Sequence, residues 1–596
     1  MQESFPQAVQ NINGLRTADI YRSLTNLLLL QRRIPEAQQV LELLKGQELR
    51  EYTDDTEVGA QPVSLTMTPT EEDILKKYGS LIAFGKQLDQ CQQTRCTQLG
   101  QLLQQRTALT QQYNQTLEKL ETAIRSGSIS NQAIVNPTQF ALKAQAIVEE
   151  QPGTVLIYPL MLQDKIWLVW ASKGGIFKSV EVPDVSQAQV EVTVLRFRQL
   201  LQNRFSDTNE LKATGKQLYD WLIAPVEKEL KANDIQNLVF SLDSSTRYIP
   251  MGALFDGEKY LVENYTVSTV LSANLTKTRS PIDSPSSSVK SSTTVPPYAC
   301  ADGCRLTNSS VIPKGSGSGG AAAIEDQKTT KTPSSSETPV SNTPNPRILG
   351  LGVSEALAGF QALPNVPAEL DAIVRQELGV SQGIYPGQKF LNQEFDFFAL
   401  RDNLSGRQLL HIATHSEFVP GRAYKSFLLL GTGEKLAIPD IETWLNLRDV
   451  DLVVLSACDT ALGGPGLNGR EVAGTGYYFL KGGAKTVMAS LWRIDDLSTR
   501  LLMEQFYKSL AQGTPTSPVM KAEALRQAQL ALLQGNYTAD AQTQNSIWQA
   551  RRNTATRSQA DEPQDESLSP STNTTKKSPF SHPYYWASFI LMGNGL

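Results

Sequence analysis

Asp451-Leu452-Val453-Val454-Leu455-Ser456-Ala457-Cys458-Asp459-Thr460 is the stretch on which the fold turns. Leu452 to Leu455 are consecutive apolar residues with no polar alternation. Such a run reads as a strand buried on both faces, the habit of parallel sheets covered by helices on either side. Similar short runs occur at Ile348–Leu351, Gln408–Thr414, Phe427–Leu430 and Lys485–Leu491. Helical spacing fills the intervals at about 367–377, 392–403, 439–446, 470–481, 496–511 and 518–534. Strand and helix therefore alternate from residue 347 onward. This predicts an α/β fold with a mostly parallel sheet flanked by helices. Tyr585–Met592 reads as a closing strand.

Outward from this block the pattern changes by stages. Val155–Tyr158 and Ile166–Trp170 predict a hairpin. Helices at 192–204 and 212–231 and a strand at Leu238–Leu242 follow, so 150–275 reads as a second α/β half. Residues 1–66 hold a helical hairpin, with Ile20, Leu24, Leu27 and Leu28 on one face and Ala37, Val40, Leu41 and Leu44 on the next helix. It looks like one tetratricopeptide-type pair, without the further copies a solenoid needs. Residues 67–149 are a long Gln-rich helical region. Leu99, Leu102, Leu109, Tyr113, Leu117, Leu120 and Ile124 have the spacing of a coiled coil or antiparallel helix pair. Residues 276–346 are rich in Ser, Thr, Pro and Gly. They bury too little apolar area to offset ordering entropy, which predicts a disordered insert. A second polar insert spans about 536–580.

Lys and Arg total 55 against 60 Asp and Glu, a formal net charge of −5 over 596 residues. That balance argues against nucleic acid or an anionic membrane as the main partner. Five cysteines (Cys91, Cys96, Cys300, Cys304 and Cys458) are too few for a disulfide scaffold. No apolar run reaches the ~20 residues of a membrane span. The first residues lack the pattern of a signal peptide, so the expectation is a cytoplasmic protein with reduced thiols. Cys300 and Cys304 have no His or Cys close in sequence to complete a zinc site.

Three histidines are present: His411, His415 and His582. His415 and Cys458 each fall at the carboxyl end of an expected strand, where functional groups of parallel sheets gather. If those strands are neighbours, imidazole and thiol face one cleft. A thiolate is a nucleophile, and a nearby His can take its proton and later give one to a leaving amine. Backbone N–H groups of Ser416 and Cys458 would hold an oxyanion. The competing reading is an inert core thiol. His411 and His415 are four apart, but Ile412 stands where a zinc helix would carry Glu, so His411 reads as a hydrogen-bonded structural residue and no metal site is assigned. His582, before Pro583, also reads as structural. Asp459 would cap the next helix or meet a basic substrate residue.

Six segments together are similar to the CHAT family, caspase-like peptidases often attached to tetratricopeptide repeats. They are Arg247-Tyr-Ile-Pro-Met-Gly-Ala-Leu254, Leu410-His-Ile-Ala-Thr-His415, Leu455-Ser-Ala-Cys458-Asp-Thr-Ala-Leu-Gly463, Gly469-Arg-Glu-Val-Ala-Gly474, Gly483-Ala-Lys-Thr-Val-Met-Ala-Ser-Leu-Trp492 and His582-Pro-Tyr-Tyr-Trp586. The resemblance covers about 150–596, apart from the two inserts. It implies a caspase-like fold, with 347–596 as the catalytic half and 150–275 as a non-catalytic half. It implies a cysteine endopeptidase acting on a protein or peptide without metal or organic cofactor. His415 would be the general base and acid, and Cys458 the nucleophile. The stretch with Ser490 and Trp492 would line the substrate groove, with a core role for Trp492 as the alternative. Caspase-like enzymes commonly have Gly after the catalytic His, and here it is Ser416. The N-terminal helices would hold a regulatory protein or the substrate. The rival function is a CHAT-like scaffold or latent effector without turnover.

Overall fold

The computed structural model describes residues 17–53, isolated positions between 73 and 116, and residues 137–174, 176–278, 346–376, 383–419, 423–456, 459–460, 469–492, 495–514, 517–537 and 578–595. The expected disordered insert and most of the expected coiled coil lie outside these residues. The chain opens with helices α1 (Thr17–Leu30), α2 (Ile34–Thr53) and α3 (Pro137–Glu150). A meander follows: β1 (Thr154–Met161), β2 (Lys165–Ser172) and β3 (Ile176–Pro183). Ser186 then starts α4 (Gln187–Leu201), its hydroxyl accepting from Gln189 N–H and the Gln189 side chain reaching back. Helices α5 (Thr208–Leu222) and α6 (Ala224–Ala232), strand β4 (Asn237–Phe240), the short α7 (Leu261–Asn264) and β5 (Thr266–Thr269) complete the first half.

The second half runs β6 (Ile348–Gly352), α8 (Val366–Ile373), β7 (Val374–Gln376), β8 (Tyr385–Leu391), α9 (Phe397–Asp402) and β9 (Leu409–Ala413). Next come β10 (Ser416–Phe418), β11 (Phe427–Leu429), β12 (Lys435–Ala437), α10 (Ile438–Trp444), β13 (Leu452–Ser456) and β14 (Asp459–Thr460). The chain closes through α11 (Arg470–Lys481), β15 (Thr486–Ser490), α12 (Asp496–Leu510), α13 (Lys521–Gln534), α14 (Pro583–Trp586) and β16 (Phe589–Gly593).

Among the described residues, twelve strands form one sheet in the order β3-β2-β1-β4-β5-β16-β15-β13-β9-β6-β8-β7. Neighbours pair in parallel except β3–β2, β2–β1 and β15–β16. The expected α/β class, a mostly parallel sheet flanked by helices, is what the structure shows. The closing strand β16 lies between β5 and β15 and so joins the two halves. Thr269 Oγ1 reinforces that seam by donating to the Leu591 carbonyl at 2.7 Å.

Alternate residues of β1 face two separate cores, as a strand buried on both sides requires. Val155 and Ile157 pack with Val190, Phe197 and Leu218 of α4 and α5. Leu156, Tyr158 and Leu160 pack with Leu28, Leu41, Leu44 and Ile147 of the N-terminal helices. The helical hairpin is therefore packed on one face of the sheet. Its contact with the first half also contains a group of buried charges. Arg22 donates to both oxygens of Asp243, at 2.9 and 2.6 Å, and to Glu48 at 2.7 Å. Arg247 pairs with the other Glu48 oxygen, and Lys45 Nζ donates to the Leu242 carbonyl at 2.6 Å. Burial lowers the Lys45 ammonium to about 8 against the pull of Asp243. Burial alone would raise Glu48, but Arg247 and Arg22 outweigh it and hold the carboxylate at about 2.

Three local readings are corrected. Residues 392–403 are not one helix: 392–394 form a short 3-10 turn, and Asp396 accepts from Ala399 N–H to start α9 at Phe397. Tyr585–Met592 is not all strand, because His582 and Pro583 start the short helix α14 and β16 begins at Phe589. The expected helix at 367–377 ends at Ile373, after which β7 begins, and β3, β5, β8, β10, β12 and β14 are further strands that the apolar pattern does not show. In β8, Pro386, Gly387 and Lys389 interrupt the apolar pattern. A Cβ on Gly387 would lie 2.0 Å from the Ile348 carbonyl oxygen, so the pairing with β6 needs glycine there.

Candidate active site

Strands β9 and β13 are parallel neighbours, with Ala413 opposite Ser456. Two residues farther along each chain come His415 and Cys458. The same two segments pair again in a four-stranded sheet, where Glu417 lies opposite Asp459 and Phe418 opposite Thr460. They therefore run together on both sides of His415. Ala457 and Cys458, like 461–468, lie outside the described residues. Strand order reverses around β6, since β8 and β7 lie on one side and β9, β13 and β15 on the other. A crevice at the carboxyl edge is the usual consequence of such a reversal.

His415 is 7% exposed. Its Nε2 lies 2.7 Å from the Gln361 carbonyl oxygen. A carbonyl can only accept, so Nε2 carries the hydrogen and Nδ1 is the basic nitrogen of the neutral ring. The Phe360 ring stacks on the imidazole, with centroids 4.9 Å apart at 26°. Phe360 also meets Phe427 edge-on at 6.3 Å. Phe360 and Gln361 belong to the loop after β6, anchored at its start by Val353 N–H donating to the Ala413 carbonyl. Ala358 and Gly359, both at positive φ, turn this loop back so that Phe360 meets the ring.

Ser416 begins β10, opposite Leu428. Leu429 N–H donates to the His415 carbonyl at 2.9 Å. Backbone groups alternate sides along a strand, so the Ser416 N–H points away from β11, toward the side of β14. The Ser416 hydroxyl is buried without a partner among the described residues.

Beneath these strand ends lies a second polar layer. His411 is fully buried. Its Nε2 lies 2.9 Å from Glu369 Oε1, and its Nδ1 lies 3.1 Å from the Tyr507 hydroxyl. The same Glu369 oxygen accepts from Ser456 Oγ at 2.9 Å. Burial keeps the Tyr507 phenol protonated far above its ordinary range, so it donates to Nδ1, and Nε2–H donates to the carboxylate. His411 is thus hydrogen-bonded on both nitrogens. Sequence reasoning passed over Glu369, although a signal was present: it shares the apolar stripe of Val366, Leu370 and Ile373 on α8. Phe360 and Gln361 carry no such signal.

The remaining assigned residues are spread out. Asp459 does not cap the helix at 470–481. It lies in β14, and α11 starts eleven residues later, behind its N-cap Gly469. Gly469 has φ +65°, and a Cβ there would lie 2.6 Å from Arg247 Cβ, so the start of α11 sits on the Arg247 segment. Ser490 and Trp492 are buried, Trp492 to 2% exposure, and the indole N–H donates to the Tyr584 carbonyl. In this structure neither side chain offers a surface to a substrate. His582 caps α14 through Nδ1, which accepts from Tyr584 N–H, while Nε2 lies 3.2 Å from Ser206 Oγ. Burial lowers it to about 4. Among the described residues no three His, Cys, Asp or Glu side chains are grouped to hold a metal ion, and no helix is long and apolar enough to cross a membrane.

The sequence profile of the CHAT domain matches residues 212–594. The match starts later than the expected 150. No functionally curated protein matches the chain. Two crystal structures of the Saccharomyces cerevisiae separase–securin complex are similar, with TM-scores of 0.43 and 0.45 at 10% identity. The alignments cover 99% of this chain and 45% of the other, so this chain spans less than half the length of those chains. The Arg-specific cysteine proteinase gingipain R is similar at a TM-score of 0.29 and 8% identity, over 69% of this chain and 74% of that one.

Proposed function

This chain belongs to the CHAT domain family, and within that family we propose that it is a cysteine endopeptidase with His415 and Cys458 as its dyad. The observation that carries the reading is the parallel pairing of Ala413 with Ser456, which brings the exits of β9 and β13 to one sheet edge. The chemistry then follows from the His415 tautomer. Gln361 takes the Nε2 hydrogen, so Nδ1 accepts the proton of the Cys458 thiol, whose ordinary pKa of about 8.5 falls beside a forming imidazolium. The thiolate attacks the scissile carbonyl carbon, and the charge on oxygen is met by the N–H groups of Ser416 and Cys458. Collapse breaks the C–N bond, His415 protonates the departing amine, and an acyl-thioester remains. A water that gives its proton to His415 then releases the carboxylic acid and restores the thiol. None of these steps requires a metal or organic cofactor.

Asp459 would stand beside the cleft and meet a basic side chain. Ser490 and Trp492 would support the groove from behind, since both are buried. The helices of residues 17–53 would carry a regulatory partner. A second reading is a latent or purely binding form of the same module, favoured by His415 lying covered under Phe360. The test exposes a proteome-derived peptide library to the wild-type chain and to Cys458→Ala, and reads new termini by mass spectrometry. Cuts made only by the wild type are the expected result. Cuts retained in the variant would refute the dyad, and no cuts from either protein would favour the binding form.

A further inference from the structure

We propose that Glu369 is a positioning residue that ties α8, and the loop holding His415, to both dyad strands. The inference rests on the peptidase reading above. One carboxylate oxygen accepts from His411 Nε2 at 2.9 Å and from Ser456 Oγ at 2.9 Å. His411 lies four residues before His415 on β9, and Ser456 two residues before Cys458 on β13. Glu369 therefore bonds to both strands that lead into the dyad, at the edge from which both residues emerge. Its own helix α8 is the element reached directly from the loop whose Gln361 carbonyl holds His415. Three separate chain segments converge on one buried carboxylate, which is 1% exposed.

The backbone ladder already sets the register of β9 against β13, and Leu410, Ile412, Val453 and Leu455 share a core. Neither directs α8, whereas two hydrogen bonds to one Glu369 oxygen restrict how this helix, and the His415-holding loop before it, stand against both strands. A misplacement near 1 Å can lower the rate about 100-fold. The carboxylate is thus placed to protect geometry rather than to touch substrate. Removing it leaves two donors, His411 Nε2–H and Ser456 O–H, buried without an acceptor. Glutamine retains an amide oxygen in the same place and can accept both.

Ser456→Ala tests the bridge without changing any charge. The full-length protein is alkylated with iodoacetamide across a pH series, and Cys458 is followed by peptide-resolved mass spectrometry. His415→Ala is run alongside as the test of the dyad itself. The expected result is a Cys458 midpoint below the ordinary ~8.5 in wild type and near it in His415→Ala. Ser456→Ala and Glu369→Ala should move it partway upward and lower kcat about 10-fold or more, with KM little changed. Glu369→Gln should recover most of the loss. If His415→Ala shifts the midpoint while Ser456→Ala and Glu369→Ala leave both midpoint and kcat at wild-type values, the positioning role is wrong and the dyad stands. If His415→Ala leaves the midpoint unmoved, the dyad reading fails and this proposal with it. A lower melting temperature in Ser456→Ala, with midpoint and kcat of the folded protein unchanged, would reduce the bridge to a stabilising contact and overturn the proposal.

Discussion

Polar side chains are buried in two places, and the two differ in what holds them. Under the N-terminal hairpin, Arg22, Lys45, Glu48, Asp243 and Arg247 are all ionisable groups brought together from positions about 200 residues apart. Beneath the candidate dyad, Glu369 supplies the carboxylate, and His411, Ser456 and Tyr507 meet it or one another through directed hydrogen bonds. The first group joins a peripheral pair of helices to the sheet. The second lies between elements that the hydrophobic core already joins. Full charges repay their desolvation only when every partner is present, so the first group is stable when complete and fragile when broken. The second adds less to attachment and more to geometry.

The sharpest challenge to this contrast is Asp243→Ala. It leaves Arg22 with Glu48 as its remaining carboxylate and removes the partner of Met161 N–H. Losing one member of a buried ion pair costs about 3–5 kcal/mol. Denaturant unfolding should show that loss, while the folded fraction cleaves peptide at the wild-type rate. A slowed rate at full stability would reverse the roles assigned to the two groups.

Acid should act first at the cap of α14, outside both groups, and only later on the charges under the hairpin. His582 has a folded pKa of about 4, below its ordinary 6.5, so the unfolded chain binds more protons between those values. Its contribution is present above pH 6.5 and declines as pH falls toward 4. Glu48 is held at about 2, below its ordinary 4.5, so its contribution is present above 4.5 and declines toward 2. Stability measured against pH should therefore fall first through His582 and later through Glu48. His582→Asn should flatten the first stage and Glu48→Gln the second. A single unresolved decline unaffected by either variant would contradict this separation.

The smallest effect is expected from Tyr507→Phe. It removes the hydroxyl facing His411 Nδ1 and keeps the ring against Tyr385 and Phe506. An unsatisfied buried acceptor costs about 1–3 kcal/mol. Thermal unfolding checks it. A loss as large as that of Asp243→Ala would mean that the second group also holds the fold together.

Much of the architecture could be read from residue pattern, and the reasons are local. Leu452-Val453-Val454-Leu455 has nowhere to lie but in a sheet covered on both faces, and it forms β13. Residues 470–481 and 496–510 carry helical periodicity that survives into the folded chain. Where local pattern and pairing disagree, pairing decides. Tyr385-Pro386-Gly387 looks like a turn, yet it forms β8 because the glycine admits the backbone of β6. His415 was visible as a polar residue at a strand exit. Gln361 was not, because its contribution is a backbone carbonyl, and every residue type carries one.

The alternation of strands and helices, the charge balance and the place of His415 just past a strand were legible in the sequence. Those properties depend on the identities and spacing of near neighbours. Only the tertiary structure decided that β9 and β13 are adjacent and that β16 closes the gap between the halves. It alone decided that the Gln361 carbonyl selects the His415 tautomer. Each of these is a contact between segments far apart in the chain, and its geometry follows from how whole elements pack.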